Sequence, residues 1–286
     1  MKLSAEAPAK INRELRVGRV REDGYHEVFS RMVSIDLADR LTVEPAEDLR
    51  FFCDEPKVPS GEDNLVVRAA RLLARAAGVA PRAAIRLEKR TPMGGGLGGG
   101  SADAAIALRL LAELWSCPSD VRDSLPALAA ELGSDVPFFL GGGQADVTGR
   151  GEIVRPVADA PARTLLLLVP PFTVSTAAVY RAYAGRGRLP GRLTVDEPGH
   201  PGFLGPNDLT PAVLQVEPRM EAYLASAARI SEERAVSGSG STIVLPASPG
   251  ARDELARRHP EARLFACTTL TRDAYRLRTN PNGGSS

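Results

Sequence analysis

Between Pro92 and Ser101 the chain reads Pro-Met-Gly-Gly-Gly-Leu-Gly-Gly-Gly-Ser, so six of the seven residues from Gly94 to Gly100 carry no side chain. Upstream, Ala84–Lys89 alternates with Ile85 and Leu87 on one side, which predicts a strand. Downstream, an Ala/Leu-rich run predicts a helix to about Trp115. Strand, glycine loop and helix in that order leave backbone amides free to turn toward an anion, and the helix adds the positive end of its dipole. The expected ligand is a phosphate. Ser101, at the predicted helix start, can cap the helix or offer its hydroxyl to a phosphate or a metal. The run contains Gly94-x-Gly96-x-x-Gly99, the dinucleotide pattern, but deep in the chain and without an evident βαβ repeat after it. No Gly-Lys-Ser/Thr occurs, so it is not a Walker loop. A flexible linker is the plain alternative, but linkers seldom join a strand to a strongly apolar helix.

Composition narrows the partners. The 286 residues hold 36 Lys+Arg against 35 Asp+Glu, a net charge of +1, which argues against nucleic acid as the main partner. Cys53, Cys117 and Cys267 are few and widely spaced, without metal-ligand spacing, so neither a disulfide framework nor a zinc site is expected. The longest apolar run, Leu165–Pro171, is far short of the roughly 20 residues of a membrane helix, and Met1–Glu6 does not resemble a secretory signal. A cytoplasmic protein with no membrane partner is expected; monomer and homodimer both stay open. Only Lys2, Lys10, Lys57 and Lys89 are lysine among the 36 basic residues, which singles out each of them.

Along the chain, Ala9–Val17 predicts a strand that puts Ile11, Leu15 and Val17 on one face and projects Lys10 and Asn12 together from the other. Arg13 interrupts the apolar face. Asp23-Gly24 marks a turn, and Val28–Ala38 resumes as strand. Ser60–Gly78 reads as a helix with Glu62 and Asp63 in its first turn and Gly78 at its end. A further helix is expected from Ser119 to Gly133. Residues 151–163 look like a crossing to a second half, beginning with the buried strand Leu165–Val169. Residues 185–206 read as an irregular loop and Asn280–Ser286 as a disordered tail. From Pro218 onward the order is helix, strand at Ala235-Val236, Ser/Gly turn, strand Thr242–Leu245, helix Pro249–Arg258 and strand Arg263–Thr269, a ferredoxin-like half. The expected architecture is two-domain α+β: a mixed sheet and helix domain over 1–157 and a ferredoxin-like domain over 158–286.

Several segments, taken together, resemble the GHMP kinase superfamily. They are Pro8-Ala9-Lys10-Ile11-Asn12, Asp23-Gly24-Tyr25-His26-Glu27, Asp63-Asn64-Leu65, Pro92–Ser101, Gly133-Ser134-Asp135-Val136-Pro137-Phe138 and Ser237-Gly238-Ser239-Gly240. The resemblance runs in register from about Ala7 to Leu245. Within the superfamily, the first two segments are similar to the branch whose acceptor is a cytidine-diphosphate-linked methylerythritol. The resemblance implies a GHMP-type fold and ATP as phosphoryl donor, with Mg²⁺. It implies nucleotide contacts from Asn64, Pro92, Gly94, Gly95, Gly96, Leu97, Gly98, Gly99, Gly100, Ser101, Ala102, Gly238, Ser239 and Gly240. Asp135 matches the family's catalytic aspartate and Lys10 the lysine paired with it. Asn12, Tyr25, His26, Met32, Thr176 and Tyr180 match the acceptor side. The Mg²⁺ ligand is not fixed by the resemblance, Ser101 being one candidate.

The same residues have plainer readings. Ser134-Asp135 before Pro137 can be a helix N-cap, Lys10 an exposed strand lysine, Asn64 a cap, Tyr180 a core residue, and Lys89 and Arg90 solvated charges. Two departures from the pattern stand out. Met32 takes the place of an aromatic that sandwiches the base, and Arg13 that of an apolar strand residue. Competing functions are phosphorylation of another small alcohol, a catalytically silent nucleotide binder, and a nicotinamide oxidoreductase.

Overall fold

The computed structural model describes residues 1–184 and 202–281. Its first elements are two long strands, β1 (Leu3–Val20) and β2 (His26–Glu44), paired antiparallel across the Asp23-Gly24 turn. There follow β3 (Leu49–Cys53), α1 (Leu65–Ala77), β4 (Ala83–Glu88), α2 (Gly99–Leu114), α3 (Ser119–Asp123), α4 (Leu125–Leu132), α5 (Phe138–Gly141), β5 (Gln144–Thr148) and β6 (Ile153–Pro156). All six strands form one sheet, in which β3 runs parallel to β4 and every other pair is antiparallel.

The second half contains β7 (Thr164–Val169), α6 (Thr176–Ala184), α7 (Thr210–Val216), α8 (Met220–Ile230), β8 (Ala235–Val236), β9 (Ile243–Pro246), α9 (Ala251–Arg258), β10 (Arg263–Thr268) and α10 (Arg272–Thr279). Its antiparallel sheet has the order β10-β7-β9-β8, the split βαβ arrangement of a ferredoxin-like fold. The α+β class is as expected. Among the described residues no helix is long and apolar enough to cross a membrane. The expected loop over 185–206 lies mostly outside the described residues, as does most of the expected tail.

The continuous apolar run of β7 has a packing cause. Leu166 and Leu168 enter one core with α6, α7 and α8, while Leu165, Leu167 and Val169 enter another with Ala9, Ile11, Val33 and Ile35 of the first sheet. A strand covered on both faces loses the polar alternation of a half-exposed one. The third core lies between the first sheet and the buried faces of α1 and α2. The halves are also stitched by backbone: Leu270 N donates to Ser34 O at 2.8 Å and Leu15 N to Pro206 O at 3.0 Å. Helix α10 returns to the first half, where the Tyr275 hydroxyl bonds Phe139 O at 2.5 Å and Arg109 bonds Thr279 Oγ1 at 2.7 Å.

Four local expectations need correction. The helix expected from Ser60 starts at Leu65, because Asn64 is extended (φ −86°, ψ 125°) and its side chain accepts from Val66 N. Glu62 and Asp63 therefore precede the helix, whereas Gly78 ends it as expected, in the left-handed region. The single helix over 119–133 is two, broken at Ser124. Pro126 is the reason: inside a longer helix it would delete an i→i−4 bond, but at the start of α4 its missing N–H costs nothing. Ser101 does not cap α2; the cap is Gly98, and Ser101 sits within the first turn. Arg13 falls in a β-bulge between Asn12 and Glu14, which takes it out of the alternation. Its guanidinium lies 4.1 Å from the Phe203 ring centroid and bonds Phe203 O and Gln144 Oε1, so its charge is partnered where an apolar residue was expected.

Candidate active site

Strand β1, the glycine loop and the 237–241 turn converge at the junction of the halves. Lys10 N donates to Leu97 O at 2.9 Å, Ser237 Oγ to Gly96 O at 2.9 Å, and Thr242 N to Gly95 O at 3.2 Å. Two of the glycines are required by these approaches. A Cβ on Gly96 (φ +76°) would stand 2.1 Å from Ser237 O. One on Gly98 (φ +70°) would stand 2.8 Å from the Phe139 ring and 3.1 Å from the Lys10 side chain. Within α2, Ala102 N is the first amide to find a helical partner, Gly98 O. The first-turn amides of α2 therefore have no partner within the helix and face the loop's side of the cleft, the arrangement that holds phosphate.

A cavity of about 340 Å³ follows this loop, lined by Pro92 to Ser101 together with Asn64, Leu65, Lys89 and Asp103. Asn64 enters it with both polar atoms spent: Oδ1 accepts from Val66 N and Nδ2 donates to Pro59 O, each at 2.7 Å. Leu97 is a core residue whose carbonyl serves Lys10, and Ala102 is fully buried and lines neither cavity. Gly238 and Ser239 line the adjoining cavity described next, while Gly240 shapes the turn behind them.

That adjoining cavity, about 840 Å³, contains Lys10, Asn12, Tyr25, His26, Met32, Asp135, Thr176 and Tyr180, and Ser101 opens on both. Lys10 is 3% exposed; its Nζ donates to Asn12 Oδ1 at 2.7 Å and lies 3.5 Å from Asp135 Oδ2. Asn12 passes the chain on, its Nδ2 donating to Ser30 Oγ at 2.7 Å. The N-cap reading of Asp135 does not hold, since α5 begins after Pro137 without a side-chain cap. The carboxylate is a third exposed and free to face the cavity.

Aromatic groups gather along the same cavity. The His26 and Tyr180 rings lie 5.3 Å apart, and Tyr183 meets His26 edge-on at 6.1 Å. His26 Nε2 is buried without a hydrogen-bond partner, and burial pushes the imidazole pKa down, keeping it neutral. Burial likewise pushes the Tyr180 phenol up. Tyr25 is mostly exposed, with the Arg150 guanidinium 5.2 Å from its ring centroid. Met32 is buried opposite Asn12 in the β1–β2 register. Thr176 Oγ1 bonds Ser239 Oγ at 2.7 Å, joining α6 to the 237–241 turn.

Sequence reasoning missed Arg150, Arg181, Ser30 and Ser134, all of which line the larger cavity. The plain reading of Lys89 as a solvated charge does not hold. Lys89 is buried between Asp39, within hydrogen-bond reach, and Asp103 Oδ2 at 2.8 Å. Asp103 is itself buried, and the loss of water with Asp39 close by pushes its pKa up to about 8. Arg90 is exposed and pairs with Glu88.

This two-sheet architecture with a glycine loop at the head of α2 is that of a GHMP kinase, and residues 64–143 match the GHMP kinases N terminal domain. A mevalonate kinase crystal structure superposes with TM-score 0.66 over 95% of this chain and 99% of the other at 12% identity, a likeness of fold alone. A crystal structure of 4-(cytidine 5'-diphospho)-2C-methyl-D-erythritol kinase superposes with TM-score 0.76 at 36% identity, covering 93% of this chain and 98% of the other. The 4-diphosphocytidyl-2-C-methyl-D-erythritol kinase of Anaeromyxobacter dehalogenans (strain 2CP-C) is 43% identical over 267 residues, 88% of this chain and 83% of its own. The chain belongs to the 4-diphosphocytidyl-2-C-methyl-D-erythritol kinase family within the GHMP kinases.

Proposed function

We propose that the protein transfers the γ-phosphoryl group of ATP to the 2-hydroxyl of 4-diphosphocytidyl-2-C-methyl-D-erythritol, in the cytoplasm, as a step of non-mevalonate isoprenoid precursor synthesis. The observation that carries this reading is the buried Lys10 beside Asp135, in a cavity that Ser101 of the loop helix, His26 and Tyr180 also line.

In this reading the amides of Gly94–Ser101 and the N-terminus of α2 hold the donor phosphates, helped by the Gly238–Gly240 turn. Asp135 accepts the proton of the acceptor hydroxyl as its oxygen forms a bond to the γ-phosphorus and the bond to the leaving ADP oxygen breaks. Phosphoryl transfer is mostly a matter of positioning and charge stabilisation, and a general base adds about 10²–10⁴-fold. Lys10, held by Asn12, keeps the hydroxyl oxygen oriented and offsets negative charge as it develops. Tyr25, His26, Met32 and Tyr180 contact the cytosine. The neutral His26, with a free buried nitrogen, can exchange a hydrogen bond with the base edge without carrying charge into an apolar wall. Met32 supplies a thioether contact where a ring would stack.

Among the described residues no cluster of three or more His, Cys, Asp or Glu could form a metal cage. That fits Mg²⁺, which is commonly held by substrate phosphates and one or two protein oxygens; the Ser101 hydroxyl is the candidate here. Bound there, it would neutralise phosphate charge. We read residues 1–157 as the domain that presents the loop, Lys10 and Asp135, and 158–286 as the one that presents Thr176, Tyr180 and the 237–241 turn.

The test is ADP release on adding the cytidine-diphosphate substrate, against mevalonate and homoserine controls. Turnover on the cytidine substrate alone is expected. Turnover on a control instead overturns the acceptor assignment, and calorimetric binding of NAD in place of ATP overturns the kinase reading.

A further inference from the structure

Beneath the glycine loop lies a charge cluster that phosphoryl transfer, as derived above, does not use. Asp39 comes from β2, Lys89 from the segment entering the loop, and Asp103 from the second turn of α2. Lys89 and Asp39 have side chains 7% and 0% exposed, and Asp103 3%. Burying three titratable groups is costly, and an ion pair of this kind is often no more stable than apolar residues of the same shape. Stability therefore gives little reason for the cluster.

Its connections point elsewhere. Asp39 Oδ1 accepts from the backbone N–H groups of Arg90 and Thr91 at 2.6 and 2.7 Å, fixing the segment that enters the loop. Its other oxygen takes the Lys89 ammonium, and that ammonium bonds Asp103 on the helix that leaves the loop. The ammonium also lies against the first turn of α2, where a Cβ on Gly99 would come within 3.0 Å of it. Entry and exit of the glycine loop are thus tied across a single nitrogen. Asp103 Oδ1 has no hydrogen-bond partner, and its Oδ2 accepts from Lys89 at 2.8 Å. Both Lys89 and Asp103 line the cavity that follows the loop.

We propose that Lys89 and Asp103 are positioning residues for phosphoryl transfer: their buried bridge locks the N-terminus of α2 against the loop entry and so sets the alignment of the bound nucleotide's phosphates. The proposal rests on the kinase reading above. It assigns neither residue a contact with the acceptor.

The decisive variant is Asp103→Leu. It removes the tie to α2 and the unpartnered oxygen but leaves Lys89 and Asp39 as a neutral pair, so thermal stability is expected to equal or exceed that of the parent. With ATP·Mg²⁺ and the cytidine-diphosphate substrate, kcat is expected to fall at least tenfold and KM for ATP to rise. Misaligned phosphates are also expected to raise the ratio of ATP hydrolysed to acceptor phosphorylated. The acceptor's Kd, measured by calorimetry without nucleotide, is expected to stay within twofold. Lys89→Met frees the loop entry as well and is expected to lose more by the same measurements; it decides the matter should Asp103→Leu fail to fold. Unchanged kcat, KM and coupling ratio in a folded variant overturn the proposal, and so does an equal loss of acceptor affinity. A parent protein that does not phosphorylate the cytidine substrate overturns the kinase reading instead.

Discussion

Gly96→Ala puts the loop's fit to the 237–241 turn under direct test. Gly96 has φ +76°, and an added Cβ would stand 2.1 Å from Ser237 O, 3.0 Å from its carbonyl carbon and 3.1 Å from Gly240 O. The obstacles are backbone atoms, so no side chain can swing aside. Relieving the shortest contact to about 3 Å requires a shift of about 1 Å between loop and turn, and a displacement of that size in a positioned reactant can cost about 10²-fold in rate. That corresponds to about 2.7 kcal/mol of barrier. The left-handed backbone adds roughly 1–2 kcal/mol of strain for alanine.

Gly78→Ala separates the two terms. Gly78 has φ +66° with nothing within 4 Å of its would-be Cβ, so it carries the strain without the clash. Denaturant unfolding is expected to show a stability loss of about 1–2 kcal/mol for Gly78→Ala with kcat/KM for ATP unaffected. For Gly96→Ala, a coupled assay of ADP release is expected to show kcat/KM for ATP reduced by about 10²-fold. If kcat/KM of Gly96→Ala stays within threefold of the parent, the loop tolerates a shift of that size and the close fit has no catalytic meaning.

Three further outcomes are expected. Asp135→Asn keeps the shape of the side chain but cannot accept the proton; ATP affinity by calorimetry is expected to hold while kcat falls at least tenfold, and unchanged turnover removes Asp135 as the base. Desolvation depresses the His26 pKa below the usual histidine value of about 6.5, so the imidazole stays neutral as pH falls through that range. KM for the cytidine substrate is then expected to stay flat from pH 8 to about 6.5 and to rise only below it; a rise centred at or above 6.5 contradicts the neutral ring. Asn64→Ala removes the cap of α1, and urea unfolding is expected to show a loss of about 1 kcal/mol; no loss of stability removes the capping role.

The residues that sequence reasoning placed well act through local geometry or through a motif. Lys10 and Asn12 are two apart on one strand, and period-two alternation puts their side chains together whatever the rest of the fold does. The alternating β4 and the apolar β7 follow from the same kind of argument. Where reasoning failed, the cause was a partner distant in the chain or an unusual terminus. Gly98 caps α2 from a left-handed conformation that no side-chain preference announces. Arg13 looked misplaced because a bulge is a property of the pairing with β2, not of β1 alone. The Lys89 cluster gathers residues 39, 89 and 103 from a strand, a connecting segment and a helix, and no spacing rule unites them. Two hints were nonetheless present: Lys89 is one of four lysines, and Asp103 interrupts the Ala/Leu-rich run of α2. An acid on the buried face of a helix calls for a cation, and Lys89 was the scarce residue nearest in sequence.

The return of α10 to the first half gives the molecule an order of assembly. Tyr275, fully buried, lies over Gly142 and bonds Phe139, while Arg278 pairs with Glu6 at 2.8 Å. Strand β1 and helix α5 are thus closed by a helix that is made well after both of them. Strand β1 already lies against β2 and α2, and α5 against α2, but the faces that meet α10 stay bare until residues 272–279 are made. A nascent first half thus holds its glycine loop and Lys10 before α10 is made. Contacts that span so much sequence are slow to form, and the faces that α10 covers stay exposed longer the more slowly the chain is made. A tag or fusion that hinders α10 would therefore disturb a site whose residues nearly all lie far upstream of it.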